Sequence, residues 1–381
     1  MINVPFFLPT YLGNDLQDAL TGYDMGNMRS RVYAGRTEEW LSKLMQPRLC
    51  KLTQSCTQSL ELAALILGIK PGDEVIMPSF AFMSMGNAFA LRGAKLVFVD
   101  IRPDTLNIDE TKIEAAITDK TKVILTLNYA GVGCNYDAIL PIAAKHNLTV
   151  VEDNAHGIMG KYKDKYLGSF GHISTLSFDF LKNITCGEGG AIFINDDKLA
   201  APLRLAYEFG TNRHDFYEGK TPFYEWKGLG TNGYLSDISA AVLYRQLQNA
   251  EQITSAFKNK WKLYYNNLQP LQNAGMLSLP TVPPDCYHTA HNFYVITKST
   301  AQRQELIDYL KQQGIQATFH YHPLHSSEFG LKAGVFSGQD EHTTRCAQQL
   351  VRLPLFYSLS EGDVELVCRK VYDFFGIAFK P

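Results

Sequence analysis

Apolar residues come in short, nearly unbroken runs through the first two-thirds of the chain, and between those runs they recur at helical spacing. Residues 74–78, 95–100, 122–127 and 148–151 hold runs of the first kind, with Leu96-Val-Phe-Val99 the most continuous. Strands covered on both faces need such runs, whereas a sheet with one wet face alternates apolar and polar positions. Residues 57–67 are of the second kind. Leu60, Ala63, Ala64 and Leu67 fall on one helical face, and Ser55 stands where a cap belongs. A short helix ends at Leu91, Asn107-Ile-Asp-Glu110 has the form of a capping box opening a helix to Ile117, and most of 139–146 is helical. Strand, helix, strand, helix in this rhythm predicts an α/β fold with a parallel sheet and right-handed crossovers.

The ends of the chain break the rhythm. Residues 1–50 read as an arm and then a helix at 36–45 carrying Trp40, Leu41 and Leu44, with a polar, irregular segment at 24–35. Past the middle, an apolar run at 173–180, broken by Asp179, and another at 191–194 flank a glycine-rich turn. A helix at 196–209 follows, then a long polar, aromatic and glycine-rich loop at 211–232. A long helix from Ser236-Asp237 to about residue 268 leads into a strand at 291–297, a helix at 301–313, a strand at 315–319, a helix at 342–352 and a final helix at 362–375. That α+β pattern differs from the alternation before it. The expected division is residues 1–250, an arm and a large α/β domain, and residues 251–381, a smaller α+β domain.

Composition narrows the function. At 381 residues, 45% hydrophobic and 19% charged, the chain is an ordinary globular protein with a large core. A formal net charge of −2 gives no reason to expect a nucleic-acid surface or binding to anionic membranes. Seven cysteines without a Cys-x-x-Cys pair read as reduced thiols of the cytoplasm. No run approaches the roughly 20 apolar residues that span a bilayer, and the first residues do not form a signal peptide.

The chemistry concentrates at residues 177–190, Ser-Phe-Asp-Phe-Leu-Lys-Asn-Ile-Thr-Cys-Gly-Glu-Gly-Gly. Burial beside strands would desolvate Lys182 and lower its pKa, leaving an amine able to form a Schiff base with an aldehyde cofactor. Taken alone, such a lysine is more often a solvated loop residue. The second signal lies upstream, where the strand at 148–151 runs into Glu152-Asp153-Asn154-Ala155-His156. An acid at the end of a buried strand is where α/β sheets place ligand-contacting groups. The turn before the 57–67 helix is rich in hydroxyls and suits a phosphate.

Asp153, the Ser-Phe-x-x-x-Lys-Asn run and the Gly-Glu-Gly-Gly turn resemble the DegT-type (DegT/DnrJ/StrS) sugar-nucleotide aminotransferases, which use pyridoxal phosphate (PLP). The likeness runs from Pro5 to about Phe375 and takes in Pro71-Gly-Asp-Glu-Val-Ile-Met-Pro-Ser79, Arg92-Gly-Ala-Lys95, Arg102-Pro-Asp-Thr105, Gly210-Thr-Asn-Arg213 and Arg352-Leu-Pro-Leu-Phe-Tyr357. Within the family it is most similar to the dTDP-4-amino-4,6-dideoxygalactose transaminases. The resemblance implies a type I, aspartate aminotransferase-like fold. It implies that Lys182 holds the cofactor and moves protons, that Asp153 faces the pyridine nitrogen, and that Phe82 stacks on the ring. It places Thr57, Gln58, Ser177 and Asn232 on the phosphate, with Asn232 acting across a homodimer interface that the 211–232 loop reaches. His156 would bond the ring hydroxyl, and His320 and His325 would touch substrate. L-glutamate would convert PLP to pyridoxamine phosphate and leave as 2-oxoglutarate, and a nucleotide-linked 4-keto-6-deoxy hexose would take the amino group.

Departures from the family pattern leave alternatives open. Asp179 and Asn128 stand where relatives often have histidine, and Tyr234 where they have arginine. An added acid beside Lys182 would raise its pKa or leave the charge of the site unbalanced. Amination at carbon 3, or of another nucleotide sugar, is a second reading, and a silent regulator on the same scaffold a third. A dehydratase would carry histidine in place of Lys182. The run His320-Tyr-His322-Pro-Leu-His325 invites zinc, but no cysteine or acid at ligand spacing accompanies it and Pro323 breaks the strand, so no metal is expected.

Overall fold

The computed structural model describes residues 3–13, 15–21 and 31–379. Its elements in chain order are α1 (Asp15–Thr21), α2 (Val32–Met45), β1 (Leu49–Thr53), α3 (Cys56–Ile66), β2 (Glu74–Pro78), α4 (Met83–Ala90), β3 (Lys95–Val99), α5 (Glu110–Ile113), β4 (Thr121–Leu127), α6 (Tyr136–Lys145) and β5 (Thr149–Asp153). Next come β6 (Lys161–Tyr162), β7 (Lys165–Tyr166), β8 (Ile173–Ser177), β9 (Gly190–Ile194), α7 (Ala200–Tyr207), α8 (Arg213–Tyr217), α9 (Asp237–Gln248) and α10 (Ala250–Asn273). The chain closes with β10 (Cys286–Tyr287), β11 (Phe293–Ile296), α11 (Thr300–Gln312), α12 (Gly330–Ala333), β12 (Gly334–Phe336), α13 (Thr343–Gln349), β13 (Leu350–Leu353) and α14 (Glu361–Phe374).

Eight strands form one sheet in the order β1-β9-β8-β5-β4-β2-β3-β12. Neighbours from β8 through β12 run parallel, and only β9 runs against the strands beside it. The reversal at β9 follows from the glycine-rich turn, which returns the chain directly beside β8 where a parallel partner would need a crossover. β2, β8 and β9 are buried along their whole length, with the polar Glu74, Ser174, Thr175 and Ser177 enclosed beside their apolar residues. Leu60, Ala63, Phe89 and Leu203 pack on one face and Ile113, Ile139 and Ala143 on the other, so the layers are helix, sheet, helix. A third cluster joins α2, α9, α10, α11 and α14, with Phe257, Tyr264, Leu268, Val367 and Val371 fully enclosed. Each such side chain contributes about 1.5–3 kcal/mol over an exposed one.

Several expectations change at the level of elements. The helix expected at 36–45 begins four residues earlier, and of the irregular 24–35 segment only residues 31–35 lie within the described residues. Asn107 is no cap: its buried amide bonds Tyr129 N–H and Val132 C=O, and Asp109 caps α5 through Thr111 N–H. The long helix from Ser236 breaks at Asn249 into α9 and α10. Residues 315–319 form only isolated bridges, to Val4 and Arg352. The helix expected at 342–352 ends at Gln349, because Leu350-Val-Arg-Leu353 pairs with β11 as a strand. No helix among the described residues is long and apolar enough to cross a membrane.

Candidate active site

Three strand ends and one helix start converge on a cavity of about 490 Å³. Asp153 ends β5, Ser177 ends β8, Gly189 precedes β9, and Ser55, Cys56 and Thr57 open α3. The facing wall is His291, His320, Tyr321 and Arg352. The ligand-binding edge of a parallel sheet is this carboxyl edge.

Asp153 is 4% exposed, and its Oδ1 accepts the Ala155 N–H at 3.0 Å with the Cys56 thiol 3.9 Å away. Burial pushes its pKa up to about 6, although the Ala155 N–H and the Lys182 charge pull it partly back. No lysine or arginine pairs with it among the described residues. A carboxyl enclosed without a cation suits a protonated ring nitrogen.

Lys182 sits on the turn after β8, its N–H bonded to Asp179 C=O at 2.9 Å. Burial lowers the amine below the usual lysine range and outweighs Asp179, Cys56 and Asp153, which raise it. The expectation that Asp179 raises this pKa therefore holds for its own contribution and fails for the net result. Gly190 brings β9 against the start of α3: a Cβ there would lie 2.4 Å from the Ser55 carbonyl carbon and 2.5 Å from Cys56 N. Ser55 Oγ caps Gln58 N–H at 3.1 Å, and the first helical bond runs from Ser59 N–H to Ser55 C=O. The N–H groups of Cys56 and Thr57 precede it and suit an anion at the positive end of the helix. Cavity size, helix start, amine and lone carboxyl together fit a phosphorylated aldehyde with a basic ring nitrogen.

Thr57, Phe82, Asp153, His156, Ser177, Lys182 and His320 all line this cavity, and Gln58, Asn232 and His325 do not. The Gln58 amide is turned aside, accepting Gln54 N–H and donating to Asn232 C=O, each at 2.9 Å. Asn232 is exposed, its Oδ1 taking Tyr234 N–H at 3.3 Å. The His325 ring lies 2.7 Å from Ser79 Oγ and 3.2 Å from Asp340, so its expected substrate contact gives way to a structural one. Asn128 is fully buried, bonding Cys134 N–H, Tyr136 Oη and Asn154 Oδ1 within a network around Glu152.

Three imidazoles crowd the far wall, and burial holds all three well below the ordinary histidine range, so they are neutral. His156 stacks on His291 with centroids 4.0 Å apart. Its Nδ1 accepts Ala130 N–H at 3.3 Å, which leaves Nε2 as the protonated nitrogen, a donor for a ring hydroxyl. Asn183 Nδ2 donates to Thr289 C=O, so Asn183 Oδ1 accepts and His291 Nδ1 carries the proton. His320 Nε2 accepts from Arg352 Nη1 at 2.7 Å, and its Nδ1–H therefore donates to Tyr129 Oη at 3.1 Å.

Sequence reasoning gave no role to Arg352, His291, Tyr321 or Cys56. The available signal for Arg352 was a charge inside the apolar run Leu350-Val-Arg-Leu353, a placement that almost always has a purpose.

A model of the DegT/DnrJ/EryC1/StrS aminotransferase family matches residues 15–372. The spore coat polysaccharide biosynthesis protein SpsC of Bacillus subtilis is 31% identical, with 97% of this chain and 96% of that protein covered. An aminotransferase, TlmJ, from Streptoalloteichus hindustanus superposes with a TM-score of 0.86 at 26% identity, covering 99% of each chain. The PLP-form of the putative sugar aminotransferase Spr1654 from Streptococcus pneumoniae superposes with a TM-score of 0.89 over 98% of each chain, and at 23% identity that likeness concerns the fold. The expected α/β fold class, that of the PLP-dependent aminotransferases, is the one observed.

Proposed function

We propose that this chain, which belongs to the DegT/DnrJ/EryC1/StrS aminotransferase family, moves an amino group from L-glutamate to a 4-keto-6-deoxy hexose carried on a nucleoside diphosphate. The chain is an aminotransferase and its cofactor is PLP. The preferred acceptor in this reading is dTDP-4-keto-6-deoxy-D-glucose, which a cytoplasmic enzyme converts to dTDP-4-amino-4,6-dideoxygalactose for a cell-surface glycan. A relative that serves spore coat polysaccharide synthesis supports the glycan.

When bound, the cofactor supplies an aldehyde and an electron-withdrawing ring that stabilises negative charge on the donor's amino-bearing carbon. The chain's own residues do the rest. Lys182 Nζ, its basicity lowered, takes the proton from that carbon and later delivers one to the sugar carbon that receives nitrogen. Asp153 holds a proton on the ring nitrogen, the start of α3 with Thr57 and Ser177 binds the phosphate, Phe82 covers the ring, and His156 donates to its hydroxyl. Gln58 supports that helix start from outside the cavity, and His320 borders the sugar. Asn232 reaches the phosphate of a second copy, and the exposed Phe209, Tyr217, Phe223, Tyr224 and Trp226 support a dimer interface there. The same reading divides the chain near residue 250.

One observation carries the reading: an amine and a buried carboxyl without a cation partner face one cavity beside the start of α3, where the Cys56 and Thr57 N–H groups precede the first helical bond. The test is purified protein with PLP, glutamate and 4-keto or 3-keto dTDP-sugars. We expect yellow absorbance that hydride fixes to Lys182 and amination of the 4-ketone. Turnover of the 3-ketone alone moves the reading to carbon 3, and absence of turnover with a bound chromophore rejects it.

A further inference from the structure

We propose that Arg31 binds the cofactor phosphate held at the start of α3 in a second copy of this chain, so that each site is incomplete without its partner's guanidinium. The inference rests on the aminotransferase reading above and adds a cation which that reading lacks.

The phosphate end of the inner cavity is short of positive charge. Ser55, Cys56, Thr57 and Ser177 line it with N–H groups and hydroxyls. The two cations of the lining lie elsewhere, Lys182 on the turn after β8 and Arg352 on the facing wall. A phosphate enclosed without a counter-charge is costly.

Arg31 is a cation without an anion. It stands at the N-cap of α2 with φ 49° and ψ 46°, the left-handed region that residues with side chains rarely adopt. Such a backbone persists only where its surroundings impose it, and it recurs at ligand clamps. Here Ala34 N–H donates to Asp237 Oδ1 at 2.7 Å, which seats the start of α2 on α9. The guanidinium lies 4.2 Å over the Tyr234 ring, and its Nη2 donates to Tyr207 Oη at 3.2 Å. Nε is buried without a partner, Nη1 makes no hydrogen bond among the described residues, and no carboxylate pairs with the group there. A guanidinium keeps its charge, and its remaining N–H groups match phosphate oxygens.

Its neighbours tie Arg31 to the phosphate end. Tyr207 Oη donates in turn to Leu52 C=O, on the strand that leads into α3. Tyr234 lies two residues past Asn232, whose C=O takes the Gln54 and Gln58 amides at 3.0 and 2.9 Å beside the same helix start. Residues 230–234 hold no cation, tyrosine standing at 234 where the family pattern has arginine, and Arg31 returns one to that place. Yet neither Arg31 nor Asn232 lines the inner cavity of its own chain. They belong to the outer side of the helix start, with the exposed Gln54. Across a twofold axis a patch meets its own copy. A patch beside one α3 start thereby comes up to the α3 start of the second copy.

The experiment compares cofactor affinities by equilibrium titration. Arg31→Gln should weaken PLP binding about 10-fold and leave pyridoxal, which lacks the phosphate, within about 2-fold. Arg31→Lys, which keeps the charge, should stay within about 3-fold of wild type for PLP. Co-expression reports which chain the group serves. With Lys182→Ala subunits in excess, nearly every Arg31→Gln subunit has a partner with Arg31 intact, and only the Arg31→Gln subunit can be tagged by hydride. Its tagging at limiting PLP should return to wild-type affinity. A defect that persists in these hybrids overturns the assignment, as does a monomeric wild-type protein. Equal losses for PLP and pyridoxal also overturn it, since they mark a purely structural stack on Tyr234. So does normal PLP affinity with a raised KM for the ketosugar, which would give Arg31 to the substrate's diphosphate. If Arg31→Gln does not fold, Arg31→Gly, which the left-handed backbone favours, replaces it in each arm. Wild-type protein that binds no PLP rejects the function proposed above, whereas wild-type affinity in Arg31→Gln rejects only this inference.

Discussion

On the wall built from β5, β8 and β9, charge sits at the ends of strands and the backbone governs it: Ala155 N–H on Asp153, the Asp179 turn under Lys182, Gly190 against the start of α3. On the facing wall, charge sits mid-strand at Arg352 and other side chains govern it, from His320 through to Tyr129. The first wall is assembled from residues 150–190 and the helix that touches them. The second joins residues 129, 291, 320 and 352, far apart in the chain. Backbone-held groups keep their geometry with or without a ligand. Side-chain-held groups depend on a chain of partners, and such chains tolerate change in one member poorly.

The largest effect should come from removing the amine of the first wall. Lys182→Ala should abolish hydride-fixed absorbance and lower turnover by roughly 10⁴-fold or more, read in the coupled assay. Asp153→Asn comes next, with turnover down roughly 100-fold or more while cofactor still binds. That variant should also stabilise the cofactor-free protein. Asp153 titrates at about 6 folded and near 3.8 unfolded, so both states are protonated below pH 3.8 and the ionised, desolvated carboxyl weighs fully on the folded state above pH 6. Folding stability should fall by about 3 kcal/mol across that window in the wild type, and Asp153→Asn should escape the fall. Urea melts of both proteins at pH 4 and pH 7.5 check this, and equal slopes with pH would break the comparison. Gly190→Ala is smaller. Its methyl would force the Ser55–Cys56 backbone away, so we expect cofactor affinity to drop about 10-fold or more in an equilibrium titration, with less change in turnover at saturation.

The same division explains what the chain's residues disclosed in advance. The strands at 74–78 and 190–194, the Ser55 cap and the Lys182 turn are set by residues a few places away, and they stand where local pattern put them. Asn107 failed as a cap because Tyr129 and Val132, more than twenty residues on, offer its amide a buried pair of partners. Residues 350–353 were read into a helix because a short apolar run has no period of its own, and only pairing with Phe293–Ile296 makes it a strand. Arg352 was lost with it. His325 was misplaced for a like reason: a histidine run gives no hint of which ring turns toward Ser79.

Ser79→Ala should produce the smallest effect, and it tests whether the second wall's supports are structural. Ser79 Oγ accepts His325 N–H at 3.0 Å, so its own proton goes to His325 Nδ1 at 2.7 Å, and the ring's Nε2–H then faces Asp340. The loop bearing His320 and Tyr321 is thereby tied to the end of β2, with Leu324 N–H to Ser79 C=O at 3.0 Å as a tie that alanine keeps. Alanine leaves a backbone N–H and a ring nitrogen without partners in a half-buried place, a loss of about 1–3 kcal/mol. We expect that drop in urea stability, an unchanged cofactor spectrum, and a rise of about 3-fold in KM for the ketosugar as the loop shifts. A turnover loss beyond about 10-fold at unchanged stability would return His325 to the chemistry. The second wall would then hold a reacting group of its own as well as supports.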